Sequence, residues 1–276
     1  MKIAFVTDST ADLPEEYLQQ YPIHVVPNLL IIDGKSYEDG KEISRQEFYR
    51  RLPDLHPSPT TATASAGVYQ QLYEDLFQKG FEHIFSIHAA GLLSGIFNTA
   101  KTAAQAFAKS VQVLDSEQLS LGLGFQVLAG AEAAASGASL NAIPQIINKA
   151  RARVRVIAML DTLEYVRRSG RVSWAKARFG DLLRIKPFIE LKDGKVLSLG
   201  VARTRSKGIQ QLKDFLLAYG SLEKLAILHT NAELEAEAFL QKIKTDLALK
   251  PIIVNVNTVI GTHVGPNALG FTALIK

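Results

Sequence analysis

The segment IAFVTDST at residues 3–10 begins the pattern from which the fold class is predicted. It joins a short, apolar run to polar residues and a helical pattern, and residues 83–88 and 111–114 open similar segments. Alternation of strands with helices is typical of a parallel sheet covered by helices on both faces. We therefore predict an α/β fold whose first half holds a mostly parallel, doubly wound sheet.

The second half of the chain is less regular. Residues 187–191 and 195–203 flank Asp193-Gly194, a dipeptide typical of a tight β-hairpin turn. A length of 276 residues corresponds to about two domains of ordinary size. Because the pattern changes near Arg151, we predict an N-terminal α/β domain over 1–151 and a C-terminal α/β domain over 152–276.

The composition excludes several classes of protein. There is no cysteine, which rules out disulfides, thiolate-bound metals and a thiol nucleophile. The apolar run at the N-terminus is too short for a signal peptide, and the charge-free stretch around 119–131 is too short to span a membrane. We expect a soluble, cytoplasmic protein.

Charge is concentrated in the middle of the sequence. Residues 151–207 carry 15 basic and 5 acidic side chains, whereas the rest of the chain carries 16 basic and 22 acidic ones. A basic block on an acidic body indicates either an anionic ligand or acidic partner, or a solvated face with local ion pairs. Both interpretations stay open at this point.

Hydroxyl side chains dominate the segments that follow the predicted strands. Thr61 and Ser94 each precede a predicted helix, where a hydroxyl and free backbone N–H groups together bind an anion. The alternative is that each hydroxyl is an ordinary helix cap. The polar residues at the predicted strand ends are Asp8, Ser9, Thr10, Thr60, Thr61, Thr63, Ser65, His88, Ser94, Asp115 and Ser116.

Residues 261–270 form the most unusual stretch. Glycines and Pro266 surround a lone histidine, His263, and this composition predicts a shaped loop that brings the imidazole to a site. A plain turn is the alternative. No phosphate-binding, dinucleotide or metalloprotease motif is present, and Leu93-Ser94-Gly95 lacks the glycine of a nucleophile elbow. A triad of Ser94, His263 and Asp8 has no geometric support from the sequence.

Taken together, these motifs resemble the DegV family of bacterial fatty-acid-binding proteins, the lipid-carrying subunits of fatty acid kinase. The resemblance covers essentially the whole chain. The matching stretches are TDSTADL at 7–13, PTT at 59–61, LSG at 93–95, NTA at 98–100, DS at 115–116, LEYVRRSGRV at 163–172, RTRSK at 203–207 and THVGP at 262–266.

This resemblance implies two α/β domains with a long-chain fatty acid, such as palmitate, buried between them. It implies a lipid carrier without enzymatic activity or cofactor, which presents the carboxylate to a separate ATP-dependent kinase. Arg171 would form part of the site wall and Arg203 would face the kinase. The residues implied to hold the carboxylate or line the site near it are Thr61, Ser94, Gly95, Thr262 and His263.

The chain departs from the family pattern at several positions. Ala62, Ala90, Gly91 and Ile96 stand where the family usually has hydroxyl residues, so the rim of the site has fewer hydroxyl groups. Asn267 replaces a usual glycine, and asparagine tolerates the left-handed backbone well.

Two other functions compete with the carrier. One is an enzyme that uses Ser94 and His263 for acyl or phosphoryl transfer on a small anionic substrate. The other is a nucleic-acid-binding module built on the basic block, which sparse aromatic residues disfavour.

Overall fold

The computed structural model describes residues 1–107, 109–176, 185–243 and 249–276 of the chain. Strands and helices alternate along most of this sequence. Up to residue 153 the elements are β1 (Ile3–Asp8), α1 (Glu15–Gln20), β2 (Ile23–Val26), β3 (Leu29–Ile32), β4 (Lys35–Glu38), α2 (Arg45–Arg51), β5 (Thr60–Ala62), α3 (Ala66–Gln78), β6 (His83–His88), α4 (Ile96–Ala104), β7 (Val111–Asp115), α5 (Leu121–Ala135) and α6 (Ala142–Arg153). They continue as β8 (Val154–Met159), α7 (Glu164–Ser169), α8 (Ser173–Lys176), β9 (Lys186–Lys192), β10 (Lys195–Ala202), α9 (Arg205–Leu217), β11 (Leu222–His229), α10 (Glu233–Ile243), β12 (Ile252–Asn255), α11 (Thr258–Val264) and β13 (Leu269–Ile275).

The chain divides into two compact units. The first comprises 1–29, 62–152 and 193–195, and the second comprises 30–61, 153–192 and 196–276. From the sequence we expect one boundary near residue 151. The structure divides the chain differently, because residues 30–61 belong to the unit that holds most of the C-terminal half. Helix α2, from that segment, packs against α11.

The first unit contains a parallel sheet in the order β2-β1-β6-β7. Alternate side chains of β1 point to opposite faces, as the two-residue period of a strand requires. Ala4 and Val6 join the apolar cluster formed with α3 and α4. On the other face, Phe5 packs so closely against Gly130 of α5 that a Cβ there would lie 2.8 Å from its ring. Helices therefore cover both faces, and the predicted doubly wound sheet is confirmed.

The second unit contains a mixed sheet in the order β10-β9-β8-β13-β11-β12. Strand β13 lies in its interior, antiparallel to both β8 and β11, while β11 and β12 are parallel. Leu269, Phe271 and Ala273 of β13 are fully buried in the apolar cluster beneath the sheet. This strand differs from the expectation of a loop, which Gly270 and the preceding Pro266-Asn267 favour.

Two tight turns have the sequence Asp-Gly, the dipeptide that predicts the turn at Asp193-Gly194. Asp33 and Gly34 have φ of 51° and 77°, and Asp193 and Gly194 have φ of 50° and 71°. Two consecutive left-handed residues are what a two-residue hairpin between twisted strands requires. The turns join β3 to β4 and β9 to β10.

The prediction of a loop over 261–270 is wrong for its first part. Residues 258–264 form helix α11, so His263 lies in the last turn of a helix. Asn267 has a φ of 60°, the left-handed conformation that asparagine tolerates. Across the described residues, every helix is too short or too polar to cross a membrane.

Candidate functional site

In the second unit, the start of helix α11 is fixed by side chains on both sides of it. The Oδ1 of Asn257 accepts a hydrogen bond of 2.8 Å from the N–H of Ile260, as a helix cap does. The buried carboxylate of Asp39 accepts bonds from the N–H and the hydroxyl of Thr258, at 3.1 and 2.7 Å. Together these contacts set the position of the helix that carries His263.

Tyr49 of α2 holds the same helix from the side. Its buried hydroxyl lies 2.9 Å from the carbonyl oxygen of Val256 and 3.1 Å from that of Asn257. Gly261 faces this ring, and a Cβ at that position would lie 2.2 Å from the Tyr49 hydroxyl oxygen. Close packing, and not a loop, therefore accounts for a glycine at position 261.

Thr61 reaches His263 from a strand. The sequence reading places Thr61 before a helix, but it lies in β5, and helix α3 begins only at Ala66. Its Oγ1 lies 3.1 Å from the Nε2 of His263. The structure thus brings together two of the predicted site residues through a direct hydrogen bond between hydroxyl and imidazole.

The imidazole of His263 is neutral near pH 7. Burial lowers its pKa from 6.5 to about 4, and the positive charge of Arg171 acts in the same direction. A neutral imidazole has one N–H donor and one acceptor nitrogen. The ring therefore offers Thr61 one nitrogen and keeps Nδ1 for another partner.

The hydroxyl of Thr262 has a different partner. It donates a hydrogen bond of 2.8 Å to the carbonyl oxygen of Thr258 inside α11. The residue is buried, with 8% of its surface exposed. Its proton is therefore used within the helix, and what Thr262 offers a neighbouring group is an acceptor oxygen.

Some of the basic residues of 151–207 are neutralised by local ion pairs. Lys186 pairs with Asp161 at 2.5 Å, and Arg205 pairs with Glu235. By contrast, Arg171 and Arg203 are exposed and form no ion pair with the described part of the chain. The guanidinium of Arg171 donates to the carbonyl oxygen of Ser169 at 2.8 Å. Both cations are therefore available to an anion or an acidic partner.

In the first unit, Ser94 lies in the loop that joins β6 to α4. It is half-buried, and its Oγ accepts a long bond of 3.4 Å from the N–H of Ile96. Gly95 is exposed at the N-terminal end of α4, and its N–H has no acceptor among the described residues. As predicted, Ser94 precedes a helix, where the hydroxyl and a free N–H lie side by side.

Asp8, at the end of β1, belongs to a buried network of the same unit. Its carboxylate accepts from the N–H of Ala89 at 3.2 Å and faces the Nδ1 of His88 at 3.0 Å. Burial raises the pKa of Asp8, but the hydrogen bonds and charge of His88, with bonds from Thr10 and Ala89, outweigh it, so the pKa lies below its usual value. The Asp8 carboxylate is thus engaged by His88, and His263 has Thr61 as its partner.

A polar cleft of about 1050 Å³, which the sequence does not predict, lies at the ends of the strands in the second unit's sheet. Its walls include the paired side chains Asp161, Lys186, Arg205 and Glu235, together with His229. The only sequence signal was the position of Asp161 and His229 at the ends of apolar runs. Within the described segments, no group of three His, Asp or Glu side chains is placed to hold a metal ion.

Comparisons with known proteins identify the family of the chain. The family model described as "Uncharacterised protein, DegV family" matches residues 2–276. A DegV domain-containing protein of Listeria monocytogenes is 34% identical over 280 residues, which cover 100% of this chain and 99% of that protein.

Solved structures agree with this match. A fatty-acid-binding DegV family protein from Thermus thermophilus is 31% identical, with a TM-score of 0.92 over 100% of both chains. DegV from Bacillus subtilis, a fatty acid binding protein, is also 31% identical, with a TM-score of 0.88 over 100% of both chains. The likeness extends over the full length in sequence and in fold. The chain therefore belongs to the DegV family.

Proposed function

We propose that this protein binds a long-chain fatty acid and presents its carboxylate to a separate ATP-dependent kinase. The observation that carries the proposal is the hydrogen bond between Thr61 and His263 in a chain whose full-length structural relatives are fatty-acid-binding proteins. In this role the protein is a carrier, and the phosphoryl transfer takes place on the partner.

The hydroxyl and imidazole suit a carboxylate that must stay reactive. A buried carboxylate needs hydrogen-bond donors, because leaving it unpaired costs several kcal/mol. Because Thr61 and the neutral His263 are hydrogen-bonded to each other, the pair keeps one donor for the carboxylate, without a fixed countercharge. We assign the same donor role to Ser94 and the N–H of Gly95. A guanidinium clamping both carboxylate oxygens would block the oxygen that attacks the phosphoryl group. We therefore place Arg171 in the wall of the site.

The hydrocarbon tail of the fatty acid supplies most of its affinity for the protein. A sixteen-carbon chain buries about 14 methylene groups at about 0.8 kcal/mol each, on the order of 11 kcal/mol before the costs of ordering. The head group therefore need not bind strongly. Its contacts orient the carboxylate and distinguish a fatty acid from a neutral lipid.

Arg203 is proposed to face the kinase. It is exposed, and its charge is not neutralised by any described acidic side chain. An exposed cation at the rim of an interface mainly accelerates association with an acidic partner. The exposure of Arg203 therefore suits a surface that contacts a partner better than a buried ligand site.

Mass spectrometry of a solvent extract tests the proposal directly. Protein purified from cells should carry a fatty acid in near-stoichiometric amount, and delipidated protein should take up added palmitate or oleate. Repeated extracts without lipid, together with no uptake, would contradict binding. Hydrolysis of an acyl ester or acyl phosphate by the chain alone, abolished in Ser94→Ala, would instead favour a Ser/His-dependent enzyme.

A further inference from the structure

The loop after β6, residues 89–95, is tied to the strand on each side of β6. The N–H of Ala89 donates to Asp8, at the end of β1, over 3.2 Å. The N–H of Gly91 donates to both carboxylate oxygens of Asp115, at the end of β7, over 3.1 and 3.2 Å. Two carboxylates thus hold the loop that carries Ser94.

The contact with Asp115 depends on the absence of a side chain at Gly91. A Cβ at that position would lie 2.9 Å from Oδ2 of Asp115 and 3.2 Å from the ring of Phe97. The carboxylate is also restrained from behind, since its Oδ1 accepts a bond of 2.8 Å from the N–H of Glu117. Asp115 therefore has little freedom to move aside.

The turn that Asp115 holds leads directly to Ser94. The carbonyl oxygen of Ala90 accepts from the N–H of Leu93 at 2.9 Å and from that of Ser94 at 3.1 Å. Ala90 in turn donates to the carbonyl oxygen of Gln118 at 3.0 Å. A displacement of Gly91 would therefore shift the acceptor that fixes the backbone of Ser94.

We propose that Asp115 is a positioning residue that acts through Gly91 to fix the Ser94 hydroxyl toward the carboxylate of a bound fatty acid. The inference rests on the proposed function and extends it to a residue outside the predicted ligand contacts. In this proposal Asp115 accepts hydrogen bonds from backbone N–H groups of the protein, and Ser94 contacts the ligand.

Electrostatics and positioning make opposite predictions for Asp115→Asn. Removing a negative charge near an anion-binding loop would, by charge alone, strengthen fatty acid binding. Asparagine keeps one oxygen acceptor but replaces the other by an NH2 group, which would face the Gly91 N–H donor to donor, so the loop should shift and binding should instead weaken. The sign of the change therefore separates the two effects.

A double-mutant cycle on the full chain tests the proposal, with palmitate affinity measured by displacement of a fluorescent fatty acid. We expect Asp115→Asn to weaken binding about 3- to 10-fold in the wild-type background, and less than about 2-fold in the Ser94→Ala background. Equal weakening in both backgrounds, or tighter binding in Asp115→Asn, would overturn the positioning role.

Two further variants keep the test decisive. Gly91→Ala leaves every acceptor in place but forces Asp115 away, so it should reproduce the loss and its dependence on Ser94, even if Asp115→Asn folds poorly. Asp75→Asn removes a charge on α3, where the carboxylate accepts a bond from the exposed Gln71 side chain, and should leave affinity unchanged. If the wild type binds no palmitate, the proposed function fails as well; if it binds but the cycle is additive, only this inference fails.

Discussion

The hydroxyl oxygen of Thr61 lies 3.1 Å from the Nε2 of His263, although 202 positions separate the two residues in the chain. Strand β5 supplies the hydroxyl and the last turn of α11 supplies the ring. Each side chain therefore fixes the orientation of the other before any ligand arrives. A preorganised pair of this kind spares the ligand part of the cost of ordering its partners.

Replacing Thr61 by valine should weaken fatty acid binding. Valine keeps the shape of threonine but cannot hydrogen-bond, so both the imidazole and the ligand carboxylate lose a partner. The cost of leaving a buried polar group unsatisfied is about 1–3 kcal/mol, which corresponds to about 5- to 150-fold in Kd. Calorimetric titration with palmitate measures the change.

Thr102→Val is the matched control for that experiment. Thr102 lies exposed on α4, and its hydroxyl donates to the carbonyl oxygen of Asn98 in the same helix. Its replacement should leave the affinity for palmitate unchanged. Equal affinities of Thr61→Val and the wild type would show that Thr61 does not contact the carboxylate.

The low pKa of His263 predicts a dependence of stability on pH. Between pH 6.5 and pH 4 the unfolded chain binds a proton at this side chain, while the folded chain does not, because burial lowers its pKa to about 4. The free energy of unfolding should therefore fall as pH falls through this window. Above pH 6.5 the contribution of His263 to that free energy should be constant.

Urea unfolding of the wild type and of His263→Gln across that window measures this share. His24, His83 and His229, whose pKa values burial also lowers, contribute equally to both proteins. The variant should show the shallower slope. Parallel stability curves for the two proteins would rule out the neutral, buried state of His263.

Palmitate should raise the pKa of His263. A carboxylate within about 4–6 Å of an imidazole stabilises its protonated form. Nitrogen NMR of the ring, followed against pH with and without palmitate, should show an upward shift on binding. A pKa that stays near 4 in the presence of the ligand would place the carboxylate away from this ring.

Gly261→Ala should destabilise the second unit. The added Cβ would lie 2.2 Å from the hydroxyl oxygen of Tyr49, which is fully buried and unable to move away cheaply. Overpacking of this kind costs about 1–3 kcal/mol. Gly67→Ala is the control, since a Cβ there meets only Ser65 at 3.7 Å, and it should stabilise α3 by about 0.5–1 kcal/mol. Denaturant unfolding measures the free energy of unfolding of both variants. If Gly261→Ala is as stable as the wild type, the Tyr49 ring moves aside to make room for the Cβ.

Arg203→Ala should separate lipid binding from coupling to the kinase. Because Arg203 is exposed, we expect palmitate affinity to stay within about twofold, while acyl phosphate formation with ATP and the kinase falls. Lys207→Ala removes a charge from the same motif and serves as the control. Loss of bound lipid from Arg203→Ala would place this side chain in the ligand site.

Local signals explain which parts of the fold could be predicted. The first strand and the two hairpins depend on apolar periodicity and on Asp33-Gly34 and Asp193-Gly194, which act over a few residues. Helix α11 and strand β13 give no such signal, because Gly261 and Gly270 favour a loop. Both glycines are required by close packing, Gly261 against Tyr49 and Gly270 against the backbone of Ile157 and Ala158.

In the candidate site, too, some residues could be predicted from local motifs and others could not. Thr61 and His263 follow from short motifs that the chain shares with a family, and their direct contact agrees with that assignment. The residues that hold them, Tyr49 and Asp39, gave no signal, because each bonds to a segment more than 200 positions away. Partners at such distances leave no trace in the local pattern of one sequence.

The central place of β13 in its sheet has a consequence for synthesis of the chain. Residues 30–61 leave the ribosome early, yet the unit to which they belong lacks an interior strand until Leu269–Ile275 has been made. The other unit has nearly all of its residues by position 152. We therefore expect stepwise folding during translation, in which Leu30, Ile32 and Phe48 stay exposed to aggregation and to chaperones until the final stage.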